Sequence, residues 1–398
     1  MASLADVPGR PQVTLEPGDV VAVRLPPGPE WLDIVAETWE AGAALFPLDH
    51  RLPDPTAAEL LRRARPTALH DADGANRVDG DPAGEDDALI LHTSGTSNRP
   101  KLVRLSRSAV EAAVVSSSEA LGATREDPWL CCLPVAHVGG LLVVLRGILL
   151  DVRVEVHPRF DPDAFRANDR AAFTSLVPTM LGRLLDAGVD LARFRAILLG
   201  GSALPPGLRD RADRSGVRIV ETYGLTESCG GVVYEGRPLD GTEVRIGRGD
   251  EIELRGPTLL SGYRSGDGEP PLSEDGWLRT GDAGELDGRG RLLVRGRLDD
   301  VILTGGEKVS PGEVEAVILA HRRVREAAVA GRPDPDWGER VVAWVVPVDP
   351  SNPPTLDELR DAVATALPRY AAPRELHLLE RMPKTFSGKV RRAALPRD

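Results

Sequence analysis

Short apolar runs alternate with segments of helical spacing through the first half of the chain. Residues 19–25 and 43–47 each predict a strand, because each is a compact run of mainly apolar side chains. Residues 29–41 predict a helix, since their apolar side chains recur at the period of one helix face before Gly42. The alternation continues as helix 108–121, strand 128–133, helix 139–150, strand 153–157, helix 178–186 and strand 196–199. This order predicts a parallel sheet covered by helices.

The pattern of apolar positions changes twice farther along the chain. Beyond about residue 219, short β runs such as 250–255 and 290–295 are separated by turn residues and predict a smaller β-rich lobe. Beyond Arg297 the predicted elements are a helix at 310–320, strands near 326–331 and 340–347, and a helix at 355–367. This last portion has the size and alternation of a separate α+β domain.

The length of the chain fits this division. With 398 residues it is too long for one ordinary core, which predicts roughly two or three domains. We therefore predict an α/β fold with a large N-terminal domain of α/β subdomains plus a β-rich lobe, followed by a small α+β C-terminal domain. The predicted boundary separates residues 1–297 from residues 298–398.

Composition and charge narrow the class of partner. The formal net charge of −12 argues against nonspecific binding to nucleic acid or an anionic membrane, but allows a local basic pocket for phosphate. The apolar run 138–150 is short and interrupted by Arg146, so it predicts a buried helix rather than a membrane span. The N-terminus lacks the pattern of a secretion signal, and the three cysteines lack metal-binding spacing. We therefore expect a cytoplasmic protein without nucleic-acid or membrane partners.

The segment 91–101 has the composition of a phosphate-binding loop. It follows the apolar run 88–91 and supplies hydroxyl donors, a glycine that permits close backbone approach, and a cation. These residues are Thr93, Ser94, Gly95, Thr96, Ser97 and Lys101. An ordinary solvated turn is the alternative interpretation. The segment does not match GxxxxGK[ST], so the P-loop nucleotide-binding fold does not explain it.

Four further motifs follow this loop in a fixed order. They are Glu-Thr-Tyr-Gly-Leu-Thr-Glu-Ser at 221–228, Gly-Trp-Leu-Arg-Thr-Gly-Asp at 276–282, the segment 296–310, and Pro-Lys-Thr-Phe-Ser-Gly-Lys-Val-Arg-Arg at 383–392. Together with the loop, this set resembles the adenylate-forming superfamily of acyl-CoA synthetases, adenylation domains and luciferases. The segments 18–25 and 47–53 are also similar to the early part of that superfamily.

The resemblance implies an enzyme that joins a carboxylic acid to AMP, using ATP, and then transfers the acyl group to the thiol of coenzyme A. Two anions must meet in the first step, so cationic side chains and Mg²⁺ are needed at the reacting phosphate. The loop 93–101 would then hold the β- and γ-phosphates. Thr226 would contact the α-phosphate, and Glu227 would bind Mg²⁺.

The resemblance also implies a site for the nucleoside. Tyr223 would stack on adenine, opposite a wall formed by Gly200, Gly201 and Ser202. Asp282 would accept hydrogen bonds from both ribose hydroxyls, and Arg297 would add a further ribose contact.

By the same resemblance, the C-terminal domain is expected to be mobile. Lys389 would enter the site for adenylate formation and bridge the substrate carboxylate and the α-phosphate. Asp299 resembles the hinge residue about which the domain rotates before thioester formation. The segment 304–308, with Gly306, would then face the channel for pantetheine. The alternative is that Gly305 and Gly306 merely form a tight turn.

The loop departs from the superfamily pattern at two positions. Asn98 and Leu102 stand where glycines are usual. Asparagine tolerates the left-handed conformation better than most residues, whereas leucine does not. We expect altered loop mobility or ATP affinity.

The segments 133–146 and 174–185 resemble one branch, the o-succinylbenzoate–CoA ligases of menaquinone synthesis. His137 would lie near the acyl pocket and is counted with the catalytic residues; a capped or core histidine is the alternative. This substrate has a second carboxylate that a basic residue should meet, and Arg146 is a candidate.

Other functions stay open at this stage. One is an acyl- or aryl-CoA ligase for a different acid, including one from secondary metabolism. Another is a ligase that transfers the acyl group to a separate carrier protein instead of free CoA. A degenerate nucleotide-binding module is a third, which the two loop departures favour and the joint presence of Glu227, Asp282, Arg297 and Lys389 disfavours.

Overall fold

The computed structural model describes residues 13–93, 100–264, 272–384 and 390–396. Its elements form an N-terminal sheet, a central sheet, a lobe sheet and a C-terminal sheet, with helices against three of them. Within these ranges, no helix is both long and apolar enough to cross a membrane.

The N-terminal sheet has the strand order β16-β6-β5-β2-β1-β3-β4. Its strands are β1 (Val20–Val23), β2 (Ala44–Pro47), β3 (Ala68–Asp71), β4 (Gly74–Arg77), β5 (Asp87–His92), β6 (Leu102–Ser106) and β16 (Gly262–Arg264). Helices α1 (Pro29–Glu40) and α2 (Asp54–Ala64) connect the first three strands. The neighbours β5, β2, β1 and β3 run parallel, as strand–helix–strand connections require.

The central sheet has the order β13-β12-β11-β10-β9-β7-β8. Its strands are β7 (Trp129–Cys131), β8 (Val154–Val156), β9 (Phe173–Leu176), β10 (Ala196–Leu199), β11 (Ile219–Leu225), β12 (Gly230–Tyr234) and β13 (Arg237–Pro238). The helices around it are α3 (Arg107–Leu121), α4 (Val138–Leu150), α5 (Pro162–Ala167), α6 (Pro178–Asp186) and α7 (Pro206–Arg214). From β8 to β11 the pairing is parallel, and it becomes antiparallel at β12 and β13.

Helices α3 and α4 join these two sheets through one apolar core. The core contains Leu89 and Val103 of the N-terminal sheet, Val114 of α3, and Trp129 and Phe173 of the central sheet. The rings of Trp129 and Phe173 stack with their centroids 5.0 Å apart. The relative position of the two sheets is therefore set by side-chain packing between segments distant in sequence.

The remaining strands form two further sheets, which are antiparallel except that β23 pairs with β22 in parallel. The lobe sheet has the order β14-β15-β17-β18, formed by β14 (Glu243–Ile246), β15 (Glu251–Arg255), β17 (Leu278–Leu286) and β18 (Leu292–Arg297). The C-terminal sheet contains β19 (Ile302–Thr304), β20 (Glu307–Val309), β21 (Val324–Asp334), β22 (Gly338–Pro347) and β23 (Glu375–Leu378). Helices α8 (Pro311–Leu319) and α9 (Leu356–Ala366) pack on this sheet around a core of its own.

The predicted fold class is confirmed, with a large α/β portion, a β-rich lobe and a smaller α+β portion. The predicted helices coincide with α1, α3, α4, α6, α8 and α9 to within about two residues at each end, which is the ordinary uncertainty of helix boundaries. The sequence interpretation missed short amphipathic helices such as α2 and α7, and edge strands such as β16. The division at residues 297 and 298 stays a prediction.

Leu102, which departs from the phosphate-loop pattern, is a core residue. It begins β6, pairs with His92 of β5, and is fully buried with Phe46 and Ile90. A leucine at this position therefore stabilises the sheet next to the loop, because its side chain packs in the core between the strands and α2.

We expect Leu102→Gly to lower the free energy of unfolding by about 3 to 5 kcal/mol, through lost burial and added chain entropy. Urea denaturation followed by tryptophan fluorescence measures this change. Leu303→Gly is the matched control, since Leu303 is also a strand leucine but is 54% exposed. Equal losses in the two variants would show that Leu102 does not act through burial.

Candidate active site

The nucleoside motifs meet at the carboxyl ends of β10 and β11, which are parallel neighbours. Gly200 directly follows β10, and a Cβ at this position would lie 2.5 Å from Thr222 Oγ1 on β11. Gly201 has a φ of +83°, which favours glycine. These two glycines therefore keep the predicted wall, 200–202, close to the strand that carries Tyr223.

A tight turn after β11 carries Thr226 and Glu227. The hydroxyl of Ser228 accepts a hydrogen bond from the Leu225 amide at 2.9 Å and fixes the single 3₁₀ turn over 226–228. Gly224 is required just before it, because a Cβ there would lie 1.9 Å from the Gly230 carbonyl oxygen. The turn projects both predicted site residues beyond the sheet edge.

Tyr223, Asp282 and Arg297 form one hydrogen-bonded group. The phenol of Tyr223 donates to Asp282 Oδ2 at 2.9 Å, and Arg297 Nη1 donates to Asp282 Oδ1 at 3.1 Å. Burial, and then the charge of Asp282, raise the pKa of Tyr223, so its hydroxyl remains a donor. Three residues predicted from separate motifs to hold adenine and ribose thus lie together.

The two ends of the predicted phosphate loop are tied to each other. The Thr93 amide donates to the Lys101 carbonyl at 2.9 Å, and the Lys101 amide donates to Thr93 Oγ1 at 3.0 Å. The other predicted loop residues, Ser94, Gly95, Thr96 and Ser97, lie outside the described residues, as does Asn98. These two bonds hold Lys101 next to Thr93, directly after the end of β5.

Tyr263 connects the loop base to the Glu227 turn and was missed by the sequence interpretation. Its phenol donates to Glu227 Oε1 at 3.2 Å, and Lys101 Nζ lies 3.5 Å from the phenol oxygen. Nothing in the local spacing distinguishes Tyr263, because it lies on the short edge strand β16. The pairing of β16 with β6 brings it to the site.

His137 lies at the start of α4 and faces a second histidine. Its ring is edge-on to that of His92, with the centroids 5.6 Å apart. Gly140, in the first turn of α4, is needed because a Cβ there would lie 2.5 Å from the Pro134 carbonyl oxygen. Since His92 precedes Thr93, the predicted acyl-pocket histidine is adjacent to the phosphate-loop base.

Arg146 does not support its candidate role in binding a substrate carboxylate. It is 2% exposed, donates to Ser117 Oγ at 2.6 Å and to the Leu142 carbonyl at 2.9 Å, and stacks on the Trp129 ring. It is also about 13 Å along the helix from His137, at about 1.5 Å per residue. We therefore correct the expectation and assign Arg146 to the core between α3 and α4.

The remaining predicted residues belong to the C-terminal portion. Lys389 lies outside the described residues. Gly305 and Gly306 have φ values of +60° and +84° and form the two-residue turn between β19 and β20. A Cβ at Gly305 would lie 2.7 Å from the Trp337 ring, whereas Gly306 has open space around it. The tight turn is thus real, and a pantetheine channel beside Gly306 stays a prediction.

The Glu227 carboxylate suits a Mg²⁺ ion whose other ligands are mostly water and phosphate oxygens of the bound nucleotide. Among the described residues, no group of three or more His, Cys, Asp and Glu side chains is arranged as a metal site. Magnesium commonly uses one or two carboxylates and completes its coordination with water and nucleotide phosphates. A partly buried carboxylate that contacts the same Tyr263 hydroxyl as a phosphate-loop lysine matches this mode of binding.

Comparison with known proteins identifies the family of the chain. The profile of the AMP-binding enzymes matches residues 69–263, and that of the AMP-binding enzyme C-terminal domain matches residues 313–389. The chain is 40% identical over 347 residues to a probable 2-succinylbenzoate–CoA ligase of Mycobacterium tuberculosis, covering 84% of this chain and 90% of that protein. The chain belongs to the AMP-binding enzyme family.

Solved structures of related AMP-binding enzymes show the same fold. The o-succinylbenzoate CoA synthetase of Bacillus subtilis, in complex with its acyl-adenylate intermediate, superposes with a TM-score of 0.86 at 29% identity. The match covers 96% of this chain and 89% of that one. The same synthetase in complex with ATP and magnesium gives a TM-score of 0.84 at 29% identity, covering 96% and 90%. The predicted resemblance to this superfamily, and to its succinylbenzoate branch, is confirmed.

We expect acid to destabilise the fold through His92. Burial lowers its pKa, so below about pH 6.5 the unfolded chain takes up a proton that the folded chain resists. The free energy of unfolding should fall as the pH falls through this range, by up to about 1.4 kcal/mol per pH unit. Urea denaturation at pH 7.5 and 5.5 measures the loss. In His92→Phe the loss should be smaller; an unchanged loss would contradict the assignment.

Proposed function

We propose that this AMP-binding enzyme is an ATP-dependent 2-succinylbenzoate–CoA ligase that acts through an acyl-adenylate. The observation that carries the proposal is the joined set of Tyr223, Asp282 and Arg297 next to the Glu227 turn, in a chain 40% identical to a probable ligase of that name. This set provides an aromatic face, a carboxylate for a ribose diol and a carboxylate for a metal at one sheet edge.

In the first step, a carboxylate oxygen of the acid attacks the α-phosphorus of ATP, and pyrophosphate leaves. Both reactants are anionic, so the site must offset their repulsion. Lys101 and Thr93 stand at the base of the loop proposed to hold the β- and γ-phosphates, and Thr226 is proposed for the α-phosphate. Lys389 is proposed to bridge the carboxylate and the α-phosphate while the new bond forms. Mg²⁺, held by Glu227, would neutralise phosphate charge.

Asp282 and Arg297 are proposed to bind the ribose, and Tyr223 is proposed to stack on the adenine. The hydrogen bonds that Tyr223 and Arg297 donate hold the Asp282 carboxylate in one orientation before a ligand binds. Such preorganisation reduces the entropy lost on binding. The wall 200–202, which Gly200 keeps close to Thr222, is proposed to bound the space for the planar base opposite Tyr223.

In the second step, the thiol sulfur of CoA attacks the acyl carbon of the adenylate. The thiol proton is released, and AMP leaves with the bonding electrons. We propose that the C-terminal domain, residues 298–398, rotates about Asp299 between the steps. Asp299 is exposed in a short 3₁₀ turn directly after β18, a position where a few backbone angles can absorb the rotation.

Two alternatives differ in substrate rather than in chemistry. A different acid would leave every nucleotide contact in place, because acid specificity lies in pocket shape. A carrier-protein thiol in place of free CoA would change only the second step. Free CoA and 2-succinylbenzoate are favoured by the names of the relatives and of the superposed synthetase.

The decisive experiment measures both steps with several acids. Pyrophosphate release and mass spectrometry would follow 2-succinylbenzoate, benzoate and a fatty acid, each with and without CoA. We expect 2-succinylbenzoate, and neither of the other two acids, to give acyl-AMP without CoA and acyl-CoA when CoA is present. If only one of the other acids gave product, the assignment of the substrate would change and the proposed mechanism would stand. Pyrophosphate from no acid, despite measurable ATP binding, would instead support the degenerate nucleotide-binding module.

We expect Lys389→Ala to lower acyl-AMP formation at least a hundredfold while ATP binding stays within about threefold of the parent protein. The reason is that Lys389 is proposed to act on the transition state of the first step. The control is Lys384→Ala, five residues earlier in sequence, whose ammonium pairs with Glu326 at 2.6 Å instead. Conversion of chemically prepared acyl-AMP to acyl-CoA should persist in both variants. Full acyl-AMP formation by Lys389→Ala would contradict the role.

A further inference from the structure

Tyr263 is the contact between the two halves of the proposed phosphate site. Its hydroxyl donates to Glu227 Oε1 at 3.2 Å, and Lys101 Nζ lies 4.5 Å from its ring centroid and 3.5 Å from its oxygen. Glu227 lies just after a strand of the central sheet and Lys101 just before a strand of the N-terminal sheet, and no motif assigned above includes Tyr263. We propose that Tyr263 is a positioning residue, which presents the Glu227 carboxylate to the metal ion and holds Lys101 beside it.

The backbone places Tyr263 rigidly between the sheets. On one side, Tyr263 pairs with Val103 of β6, and the Ser261 amide donates to the Arg104 carbonyl at 3.0 Å. On the other side, the Leu260 amide donates to the Glu227 carbonyl at 2.9 Å. The segment 260–263 thus bonds to both the N-terminal sheet and the Glu227 turn, so the backbone of Tyr263 is held next to the residue that its phenol contacts.

The chemistry of the phenol suits this role. The phenol supplies the O–H of this contact, and an oxygen of the Glu227 side chain accepts it. One carboxylate oxygen of Glu227 receives this hydrogen bond, which restricts the rotation of the carboxylate. A carboxylate already oriented loses less entropy when it binds a metal ion, and hydrogen bonds from surrounding groups commonly orient metal ligands in this way.

The contact with Lys101 is of a different kind. The ammonium lies over the ring face, where the π electrons attract a cation, and at the limit of hydrogen-bond distance from the oxygen. Tyr263→Phe would therefore keep the ring contact with Lys101 and remove the bond to Glu227. This separation lets a single conservative substitution test the positioning of Glu227.

The proposal rests on the proposed function for the metal role of Glu227, but its main test does not require turnover. Mn²⁺ serves as the probe, and its binding to the ATP-saturated protein is measured by electron paramagnetic resonance. We expect Tyr263→Phe to weaken Mn²⁺ binding about tenfold, and Glu227→Gln to weaken it further. ATP affinity without metal should stay within about twofold.

Tyr234→Phe is the matched control, because it also removes a single phenol oxygen, one that is buried in the core near Ser117 and Arg146. It should bind Mn²⁺ like the parent protein. In acyl-AMP formation, Tyr263→Phe should raise the Mg²⁺ concentration for half-maximal rate about tenfold and keep kcat at saturating Mg²⁺ within about twofold. A purely structural role would lower kcat or stability without shifting the metal dependence.

Two results would overturn the proposal. One is parental Mn²⁺ binding by Tyr263→Phe when Glu227→Gln binds weakly, and the other is parental binding by both variants. Failure of the proposed function is recognised separately, since the parent protein would then bind Mn²⁺ and ATP but make no acyl-AMP from any acid.

Discussion

The packing of α3 and α4 between the N-terminal and central sheets is the constraint on which the site depends. One continuous core includes residues of both sheets and of both helices, with Trp129 and Phe173 stacked within it. Interiors at this density do not allow the sheets to slide past each other. The ends of β5 and β11 are consequently held close enough for Tyr263 to reach both Glu227 and Lys101.

Close backbone approach is the second requirement of the site. Gly200, Gly224 and Gly140 each lie where a Cβ would contact a neighbouring atom at 2.5 Å or less. Because these residues have no side chain, the wall lies close to β11, the strand before the Glu227 turn lies close to β12, and the start of α4 lies close to the Pro134 carbonyl. Polar groups then complete the arrangement, as when Tyr223 and Arg297 orient Asp282. A ligand would meet donors and acceptors that are already in place.

Residues that look chemically significant in the sequence can serve the core instead. Arg146 is a cation in an apolar helix, which suggests a partner for a substrate carboxylate. Its guanidinium is instead buried against the Trp129 ring and donates to Ser117 and to a helix carbonyl. Leu102 similarly departs from a loop motif because it is a buried strand residue. In both cases, burial decides the role, and burial depends on which elements pack together.

The sequence by itself determined the order of the main elements, the superfamily, and the residues proposed to contact nucleotide. These follow from local periodicity and from motifs whose members lie within a few residues of each other. Only the tertiary structure decided that Tyr263 joins Glu227 to Lys101, that His92 faces His137, and that Arg146 lies in the core. Each of these contacts joins residues far apart in the chain, and their meeting is set by sheet order and side-chain packing, which no short window of sequence contains.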